Sequence, residues 1–527
     1  RSVDPDARVG FDGVFDLNSW HGYDFYQLCR HCDLNQVYAV RPPQIEYLRC
    51  WHQPGAILGS WYNHTGNRDE TSARWLSWHL LFHGFNSSWY WTSYNTGPAM
   101  LFPDLRPTPQ FQWMRESIGE IRGGIGKLLL AAERLDDGIA IHYSQASVHA
   151  GTLLGRRPAD AQWAFAQLAE DLGYQHRMLS YEEIEQGKLR DCRALLMPAC
   201  TALSRREAEA IREFVEQGGL VIADTLPGIL EDDGYLPPTG QFDDFFGVSR
   251  SGLPELKGAK PIRLKADGKE IESVFTVHDA AIKATDAEAV AAGDAPAVLV
   301  RSVGKGLAVL LNAAIEPYRS ARRQGEGAAE RRLIGDFLGR AGLKPAVHVS
   351  PEGPWEVVRF SDGDVLYVAI LPDDRFVGRP TRPVRIRMPH RGFVYDVRAG
   401  KPLGETDSVE MTLVPGQAKL LALLPYDVAG IQLRAAPEVR AGADLDVEIV
   451  FPSSVPPQAR HCVRVGLFDP QRQPLGHYAQ NALAGADKIH TTIPLALNDA
   501  LGQWAVRATD IATGRTTETA FTVIAAE

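Results

Sequence analysis

Residues 1–126 alternate short apolar runs with segments of helical periodicity. The apolar runs predict strands and the periodic segments predict helices. Strands are predicted at 8–15, 33–40, 55–61 and 87–94, and helices at 23–31, 44–51, 71–83 and 109–122. This order is typical of parallel βα units, and four units make half of an eight-stranded (β/α)8 TIM barrel. An open half-barrel leaves strand edges uncovered, so we expect residues upstream of Arg1, or another chain, to supply the other half.

The next segment, 127–346, predicts a doubly wound α/β domain. Its strands read as buried apolar runs, such as GIAIHYS at 138–144, RALLM at 193–197 and LVIAD at 220–224. The helix at 204–217 begins at Ser204, and Glu207 follows three residues later, which is the spacing of a capping box. The alternation of predicted strands and helices therefore continues through this segment.

From residue 347 the pattern changes to short alternating strands separated by turn residues. Residues 347–426 predict a small antiparallel β domain. Residues 427–527 show five strands with room for two more, which favours an immunoglobulin-like β-sandwich. The predicted domains are thus 1–126, 127–346, 347–426 and 427–527.

Composition and charge limit the classes of partner that the chain is expected to bind. The chain has 55 basic and 65 acidic residues, a net charge of −10, and no basic run, which argues against nucleic acid and anionic membranes. It has no run of 18 apolar residues, no leader after Arg1 and no nucleotide-binding glycine motif. The chain is therefore expected to begin inside a longer polypeptide or after processing. Six cysteines are sparse, which favours a reducing, cytoplasmic compartment.

Three groups could carry metal or thiol chemistry. Cys29, Cys32, Cys50 and His52 offer a zinc set, but the Cys-x-His spacing is cramped, so we expect free buried thiols, no metal and no cofactor. His79 and His83 lack the intervening Glu of a metalloprotease and are expected to line a buried helix face. Cys200 follows a strand as an amidotransferase nucleophile does, but the segment Met-Pro-Ala-Cys-Thr has neither of the glycines that flank the sharp elbow this chemistry needs, so an inert thiol is expected.

The strongest compositional signal is aromatic. Eight of the eleven tryptophans lie in the first 113 residues, together with seven tyrosines. These rings combine a flat apolar face with a polar edge, which suits a cleft that stacks on sugar rings, although an aromatic-rich core explains the same count. In a βα barrel, functional groups collect at the carboxyl ends of the strands. The residues expected there to bind substrate are Trp20, His21, Tyr38, Trp61, Tyr62, His64 and Trp91. For each, a packing or loop-anchoring role is the alternative.

Several segments resemble one family. GSW at 59–61, RWLSW at 74–78, FHGFNS at 82–87, WYW at 89–91 and FPDL at 102–105 resemble the last two βα units of family-42 glycoside hydrolases, the β-galactosidase group. The region from Leu128 to Ala346 is similar to that family's trimerisation domain, an amidotransferase-like fold of flavodoxin type without the catalytic Cys. The small β domain also matches the family's order, so the resemblance covers about residues 1–426.

The resemblance implies a retaining glycosidase acting on β-linked sugars, assembled as a homotrimer, with one carboxylate as acid/base and one as nucleophile. The acid/base position lies upstream of Arg1. The nucleophile position, at the end of the 55–61 strand, reads Ser60-Trp61-Tyr62 and holds no carboxylate. Glu46 and Asp16 are nearby candidates at other positions. The alternatives are a carbohydrate-binding relative that has lost catalysis and a module whose function is trimer assembly.

Overall fold

The structure is a computed structural model that describes residues 4, 6–14, 22–38, 43–61, 69–90, 100–250, 252–254, 261–266, 269–277, 279–292, 295–378 and 380–526. None of the helices formed by these residues is long and apolar enough to cross a bilayer.

The front segment forms a four-stranded parallel sheet in the order β1-β2-β3-β4, with helices between the strands. Its elements are β1 (Gly10–Val14), α1 (Phe25–His31), β2 (Leu34–Val37), α2 (Gln44–Trp51), β3 (Ile57–Trp61), α3 (Glu70–Phe82), β4 (Ser87–Trp89) and α4 (Pro109–Glu120). Side-chain caps fix where helices begin. Asp24 accepts a hydrogen bond from the Gln27 amide at α1, and Asp69 accepts one from the Ser72 amide at α3. The predicted alternation of strands and helices is confirmed for these residues.

A π-helical turn at Ile121–Ile125 leads into the α/β domain, whose main sheet has the order β16-β17-β18-β10-β8-β6-β7. β18, β10, β8, β6 and β7 are parallel, and β17 and β16 extend the sheet in antiparallel fashion. The strands of this region are β5 (Glu133–Leu135), β6 (Ile139–Tyr143), β7 (His176–Ser180), β8 (Ala194–Met197), β9 (Ala202–Leu203), β10 (Leu220–Ala223), β11 (Leu230–Glu231), β12 (Val248–Ser249), β13 (Pro261–Ala266), β14 (Lys269–Val277), β15 (Lys283–Ala284), β16 (Glu288–Ala292), β17 (Pro296–Val303), β18 (Gly306–Leu311) and β19 (Ala313–Ala314).

The helices of the α/β domain cover its parallel sheet. They are α5 (Gly126–Ala131), α6 (Gln145–Leu153), α7 (Pro158–Asp171), α8 (Tyr181–Glu185), α9 (Arg205–Glu216), α10 (Tyr318–Ala321) and α11 (Ala328–Arg340). The predicted capping box at α9 is confirmed, since Ser204 and Glu207 bond each other's backbone amides. Short 3-10 turns lie at Lys188–Asp191 and Arg322–Gln324.

The small β domain is one antiparallel sheet in the order β20-β23-β25-β22-β21, to which β5 adds as an edge strand beside β21. Its strands are β20 (His348–Ser350), β21 (Trp355–Asp362), β22 (Val365–Pro372), β23 (Arg382–Asp396), β24 (Lys401–Leu413) and β25 (Lys419–Leu424). β23 is one long strand with a bulge between Arg387 and Gly392.

The last segment has two sheets, β26-β28-β31 and β27-β33-β32-β29-β30, with a shared apolar core. Its strands are β26 (Gln432–Ala435), β27 (Glu438–Arg440), β28 (Asp444–Val450), β29 (Arg460–Phe468), β30 (Pro474–Gly485), β31 (Ile489–Pro494), β32 (Gly502–Asp510) and β33 (Thr516–Ile524). All five predicted strands are confirmed, and β26, β27 and β30 are additional ones.

The helices of the front segment pack against the other domains. α2 lies on β7 of the α/β domain, and α3 lies on β22 of the small β domain. Ten of the thirteen α3 residues are buried, because the helix has neighbours on most of its circumference. The front segment therefore has two different faces, the carboxyl ends of its strands and an interior contact made by α2 and α3.

Candidate functional site

Aromatic side chains meet at the carboxyl end of the parallel strands. We call Asp12, Tyr38, Trp61 and Trp89 the strand-end edge. The register aligns Val37 with Ser60 and Trp61 with Trp89, which brings the three rings side by side.

Ring contacts hold the strand-end edge together. Tyr38 and Trp61 stack with centroids 6.4 Å apart and planes inclined by 23°, and Trp89 meets Trp61 edge-on at 6.0 Å. Trp61 Nε1 donates to Asp12 Oδ1 at 3.1 Å. These are favourable aromatic geometries, and the indole is oriented by a carboxylate.

Gly59 allows Trp89 its position. A Cβ on Gly59 would lie 2.1 Å from Trp89 Nε1, so the indole lies directly over the glycine backbone. Ser60, on the opposite side of the strand, is fully buried, and its hydroxyl donates to the Val37 carbonyl at 3.1 Å. The described end of β3, Ser60 and Trp61, therefore holds no carboxylate, and the Ser60 hydroxyl is bonded to the backbone.

The strand-end edge has the features of a sugar-binding surface. Tyr38, Trp61 and Trp89 are each half-buried residues. Exposed ring faces beside a carboxylate can stack on a sugar and accept hydrogen bonds from its hydroxyls. The structure brings two predicted substrate-binding residues together here, Tyr38 and Trp61. The other predicted site residues lie outside the described residues: Asp16, Trp20, His21, Tyr62, His64 and Trp91.

Other aromatic residues of the front segment belong to the core. Trp51, Trp75 and Trp78 are buried, as are Tyr26 and Tyr47. Trp51 stacks on Tyr47 with centroids 5.2 Å apart, and Trp78 packs against Phe82. The many aromatic residues of the front segment therefore fall into two groups. One group forms a core around α2 and α3, and the other lies at the strand ends.

Glu46 lies in the interior rather than at the strand ends. It is 0% exposed within α2, where its carboxylate accepts from Arg49 Nε at 3.0 Å and from His83 Nδ1. His176 Nε2 lies 3.7 Å away. Arg49 Nη2 also donates to the His176 carbonyl at 2.8 Å. Glu46 thus links α2 to α3 and to β7, and its burial separates it from any open cleft.

A second buried carboxylate completes this network. Glu356 on β21 faces His83 Nε2 at 3.1 Å and Arg134 Nη2 at 3.4 Å. We call Glu46, Arg49, His83, Arg134, His176 and Glu356 the buried ionic cluster. It joins the front segment, the α/β domain and the small β domain at one point.

Charge pairing determines the protonation of the cluster. Burial alone would raise the pKa of Glu46, but Arg49 and His83 hold it well below its ordinary value. Burial likewise opposes the charged form of Glu356, yet His83 and Arg134 lower its pKa to about 2. Burial lowers the pKa of His176 to about 4, so this imidazole is neutral at pH 7. Both carboxylates are therefore ionised, as structural ion pairs require.

The candidate zinc set is not assembled. His52 is exposed, and its Nδ1 contacts the Gln53 carbonyl at 2.8 Å. The Cys50 thiol accepts from the Met178 amide at 3.3 Å. Burial raises the pKa of Cys29 well above its ordinary value, which disfavours a thiolate ligand. Among the described residues, the ligand atoms that do come together belong to His79, His83 and Glu356, so the geometry points away from Cys29, Cys32, Cys50 and His52.

Cys200 has a histidine neighbour that the sequence pattern did not predict. Its thiol donates to His142 Nδ1 at 3.4 Å, and His142 Nε2 donates to Glu207 at 2.9 Å. The histidine comes from the upstream strand β6. All three side chains are buried, and burial raises the pKa of Cys200 well above its ordinary value. A buried, protonated thiol is a poor nucleophile, in agreement with the inert cysteine expected.

Sequence reasoning missed two residues of the strand-end edge and four of the buried ionic cluster: Asp12, Trp89, Arg49, Arg134, His176 and Glu356. The candidates were chosen at the ends of the predicted strands, whereas Asp12 lies within the strand predicted at 8–15. Trp89 lies within the strand predicted at 87–94, but β4 ends at this residue. Glu356 is 273 residues from its partner His83, so no local pattern connects them. The sequence signal that could have indicated this cluster is the pair His79 and His83, which lie on one face of α3.

Comparisons with known proteins identify relatives of this arrangement. Residues 184–333 match the model of the β-galactosidase trimerisation domain of family-42 glycoside hydrolases. The β-galactosidase of Bacillus circulans sp. alkalophilus is 15% identical with a TM-score of 0.61, over 80% of this chain and 64% of that one. A catalytic mutant of a family-42 β-galactosidase from G. stearothermophilus is 15% identical with a TM-score of 0.59, over 76% and 61%.

The chain has the fold of family-42 β-galactosidases. The β-galactosidase of Rahnella sp. R3 agrees, at 14% identity and a TM-score of 0.57 over 78% of this chain and 63% of that one. The family resemblance and the multidomain organisation expected from the sequence are confirmed at the level of the fold. The chain spans less than two thirds of the length of these solved structures. A comparison with curated proteins found no match.

Proposed function

We propose that this chain is the C-terminal part of a family-42-type glycoside hydrolase that acts on β-linked sugars. The observation that carries the proposal is the match of residues 184–333 to the β-galactosidase trimerisation domain. The shared fold of the solved β-galactosidases supports it over most of the chain. The proposal includes the domain limits 1–126, 127–346, 347–426 and 427–527.

In this proposal the four parallel βα units are the last four of an eight-stranded barrel. The strand-end edge then lies at the mouth of the barrel, where functional groups of such barrels collect. Tyr38 and Trp61 provide the stacking surface for the sugar, and Asp12 accepts hydrogen bonds from its hydroxyls. The predicted contacts of Trp20, His21, Tyr62, His64 and Trp91 remain part of the same proposal.

Retaining hydrolysis needs two carboxylates about 5 Å apart across the scissile bond. Glu46 is unsuited to this role because it is fully buried and paired with Arg49 and His83. At the strand-end edge, among the described residues, Asp12 is the carboxylate beside the rings. We therefore propose Asp12 as the carboxylate to test first, with Asp16 as the second.

A non-catalytic sugar-binding protein is the second candidate function. It is favoured by one observation, that the end of β3 carries Ser60 and Trp61 rather than a carboxylate, and that the Ser60 hydroxyl donates to the Val37 carbonyl. An assay of aryl β-galactoside hydrolysis, run with the chain joined to the barrel half that carries the acid/base carboxylate, separates the two. The enzyme proposal expects turnover that falls by at least about 100-fold in Asp12→Asn, the scale of losing a general acid or base. No turnover, together with sugar binding, would favour the second candidate.

We also propose that the protein assembles as a homotrimer through the α/β domain. The match of residues 184–333 to a trimerisation domain supports this assembly. Light scattering coupled to gel filtration tests the assembly. Three copies of a 58.0 kDa chain are expected, and a monomer would contradict the trimer.

A further inference from the structure

His79 and His83 lie one helical turn apart on the buried face of α3, and both imidazoles approach one carboxylate. Residues at positions i and i+4 of a helix project side by side, which is how helical histidine pairs chelate zinc. The third group is Glu356 from β21. One ligand atom from each of the three lies within 4.8 Å of the other two.

We propose that His79, His83 and Glu356 form a binding site for a Zn²⁺ ion at the junction of the three domains. Two imidazoles and one carboxylate are a ligand set that zinc uses with a fourth, exchangeable position. The proposal does not depend on the sugar-binding function.

The separations suit a tetrahedral ion. Zinc bonds of 2.0–2.1 Å place neighbouring ligand atoms about 3.4 Å apart. Glu356 Oε2 lies 3.1 Å from His83 Nε2 and 3.9 Å from His79 Nδ1. These two values lie on either side of the tetrahedral one. The ligand nitrogens of the two histidines lie within 4.8 Å of each other, so binding of the ion would draw the two imidazoles together.

Each ligand is held from behind, as metal ligands generally are. Glu46 accepts from His83 Nδ1, which leaves Nε2 of the same ring for the ion. Arg134 and Gln175 donate to Glu356 Oε1 at 3.4 and 3.5 Å, which leaves Oε2 facing the histidines. Trp75 stacks on His79 with centroids 4.2 Å apart and fixes the plane of that ring.

A small cavity supplies the fourth position. It has a volume of about 30 Å³ and is lined by His79, Glu356 and Glu170, among others. That volume holds one water molecule. Glu170 is 8% exposed, and its Oε1 has no hydrogen-bond partner among the described residues.

A simple ion pair between His83 and Glu356 does not account for this arrangement. Such an ion pair does not require the second imidazole, that of His79, beside Glu356 Oε2. It also does not require a second buried carboxylate, that of Glu170, at the adjoining cavity. A divalent cation accounts for the second imidazole, because two imidazole nitrogens and a carboxylate oxygen are ligands that it prefers, and Glu170 lies at the same cavity.

The test uses the full chain, stripped of metal with a chelator and titrated with Zn²⁺ and with Co²⁺. About one equivalent of zinc per chain is expected by elemental analysis. Co²⁺ should give the intense visible bands of a tetrahedral site without the charge-transfer band of a cobalt–thiolate bond. His79→Phe keeps a ring on Trp75 and should weaken zinc binding at least about 100-fold, and Glu46→Gln about 10–100-fold.

Cys50→Ser is the matched control and should bind zinc like the unmodified chain. Circular dichroism verifies that each variant is folded. If His79→Phe does not fold, the cobalt spectrum of the unmodified chain decides by itself, since nitrogen and oxygen ligands differ from thiolates. Less than about a tenth of an equivalent of zinc, or binding that survives His79→Phe but is lost in Cys50→Ser, would overturn the proposal.

Discussion

The strand-end edge and the buried ionic cluster are built from the same short segment, yet they have opposite environments. At the edge, Trp61 is half-buried, and its indole bonds the exposed Asp12. In the interior, Trp78 is 1% exposed, and Glu46 is enclosed by Arg49 and His83. The residue types are alike at the two places. What differs is whether a side chain comes from the end of a strand or from a helix that lies between domains.

This comparison teaches that an aromatic and carboxylate-rich segment does not by itself locate a binding site. The helices α2 and α3 use such residues to connect three domains, where ion pairs and large rings lie between α2, α3, β7 and β21. Our proposal places ligand contact at the strand ends. The predictions below separate the two environments by experiment.

The largest effect is expected at Glu46. Glu46→Ala leaves the Arg49 guanidinium buried without its carboxylate, and breaking a buried pair in this way costs about 3–5 kcal/mol of unfolding free energy. Urea denaturation followed by fluorescence measures the loss. The matched substitution at the edge is Asp12→Ala, which should change stability by about 0.5 kcal/mol or less because the side chain is exposed. Equal losses at the two positions would remove the distinction.

The two tryptophans give the next contrast. Trp78→Ala should cost about 3–5 kcal/mol, since it removes a fully buried ring that packs against Phe82 and lies under Arg398. Trp61→Ala should cost about 1 kcal/mol, the typical value for a point substitution. Thermal unfolding of both variants measures the difference. A Trp61 variant as unstable as the Trp78 variant would mean that Trp61 belongs to the core.

A smaller effect concerns pH and His176. Its folded pKa is about 4, below the 6.5 of an unfolded chain, because of burial and of Arg49 and Arg134, while Glu46 and Glu356 act in the opposite direction. The unfolded chain therefore binds a proton between pH 6.5 and 4 that the folded chain does not. Stability present above pH 6.5 is lost as pH falls, by at most about 1.4 kcal/mol per unit.

The variant His176→Gln should lose the part of the pH dependence of unfolding free energy that comes from His176. Urea unfolding midpoints at several pH values between 4.5 and 7 measure this change. His83 does not obscure the result. Its pKa is raised, since Glu356 and Glu46 outweigh burial, so its contribution is complete below pH 6.5 and is lost as pH rises through the raised folded value. Equal slopes for the two proteins would show that His176 is not the titrating group.

Much of the fold could be predicted from local pattern. The helix predicted at 44–51 is α2 to the residue, and the capping residues Ser204 and Glu207 fixed the start of α9. The predictions failed where structure depends on distant partners. β5 (Glu133–Leu135) is a strand only because it pairs with β21, and β24 (Lys401–Leu413) is mostly exposed and so lacks an apolar run.

The site was less predictable than the fold. Residues at strand ends follow from the βα pattern, which is why Tyr38 and Trp61 were found. Glu46 was expected near the rim because sequence position shows that a residue is in a helix but not which domain covers it. Neither its pairing with His83 nor that of His83 with Glu356 has a local signature, since both depend on how the domains pack.

The central claim is that the strand-end edge binds sugar through Trp61. Isothermal titration of the full chain with methyl β-galactoside, in parallel with the folded Trp61→Ala variant, tests it most directly. We expect binding to the unmodified chain and a loss of about 1–3 kcal/mol in the variant, the range for a ring that stacks on a ligand. Affinity that is unchanged in a folded Trp61→Ala variant would contradict the account.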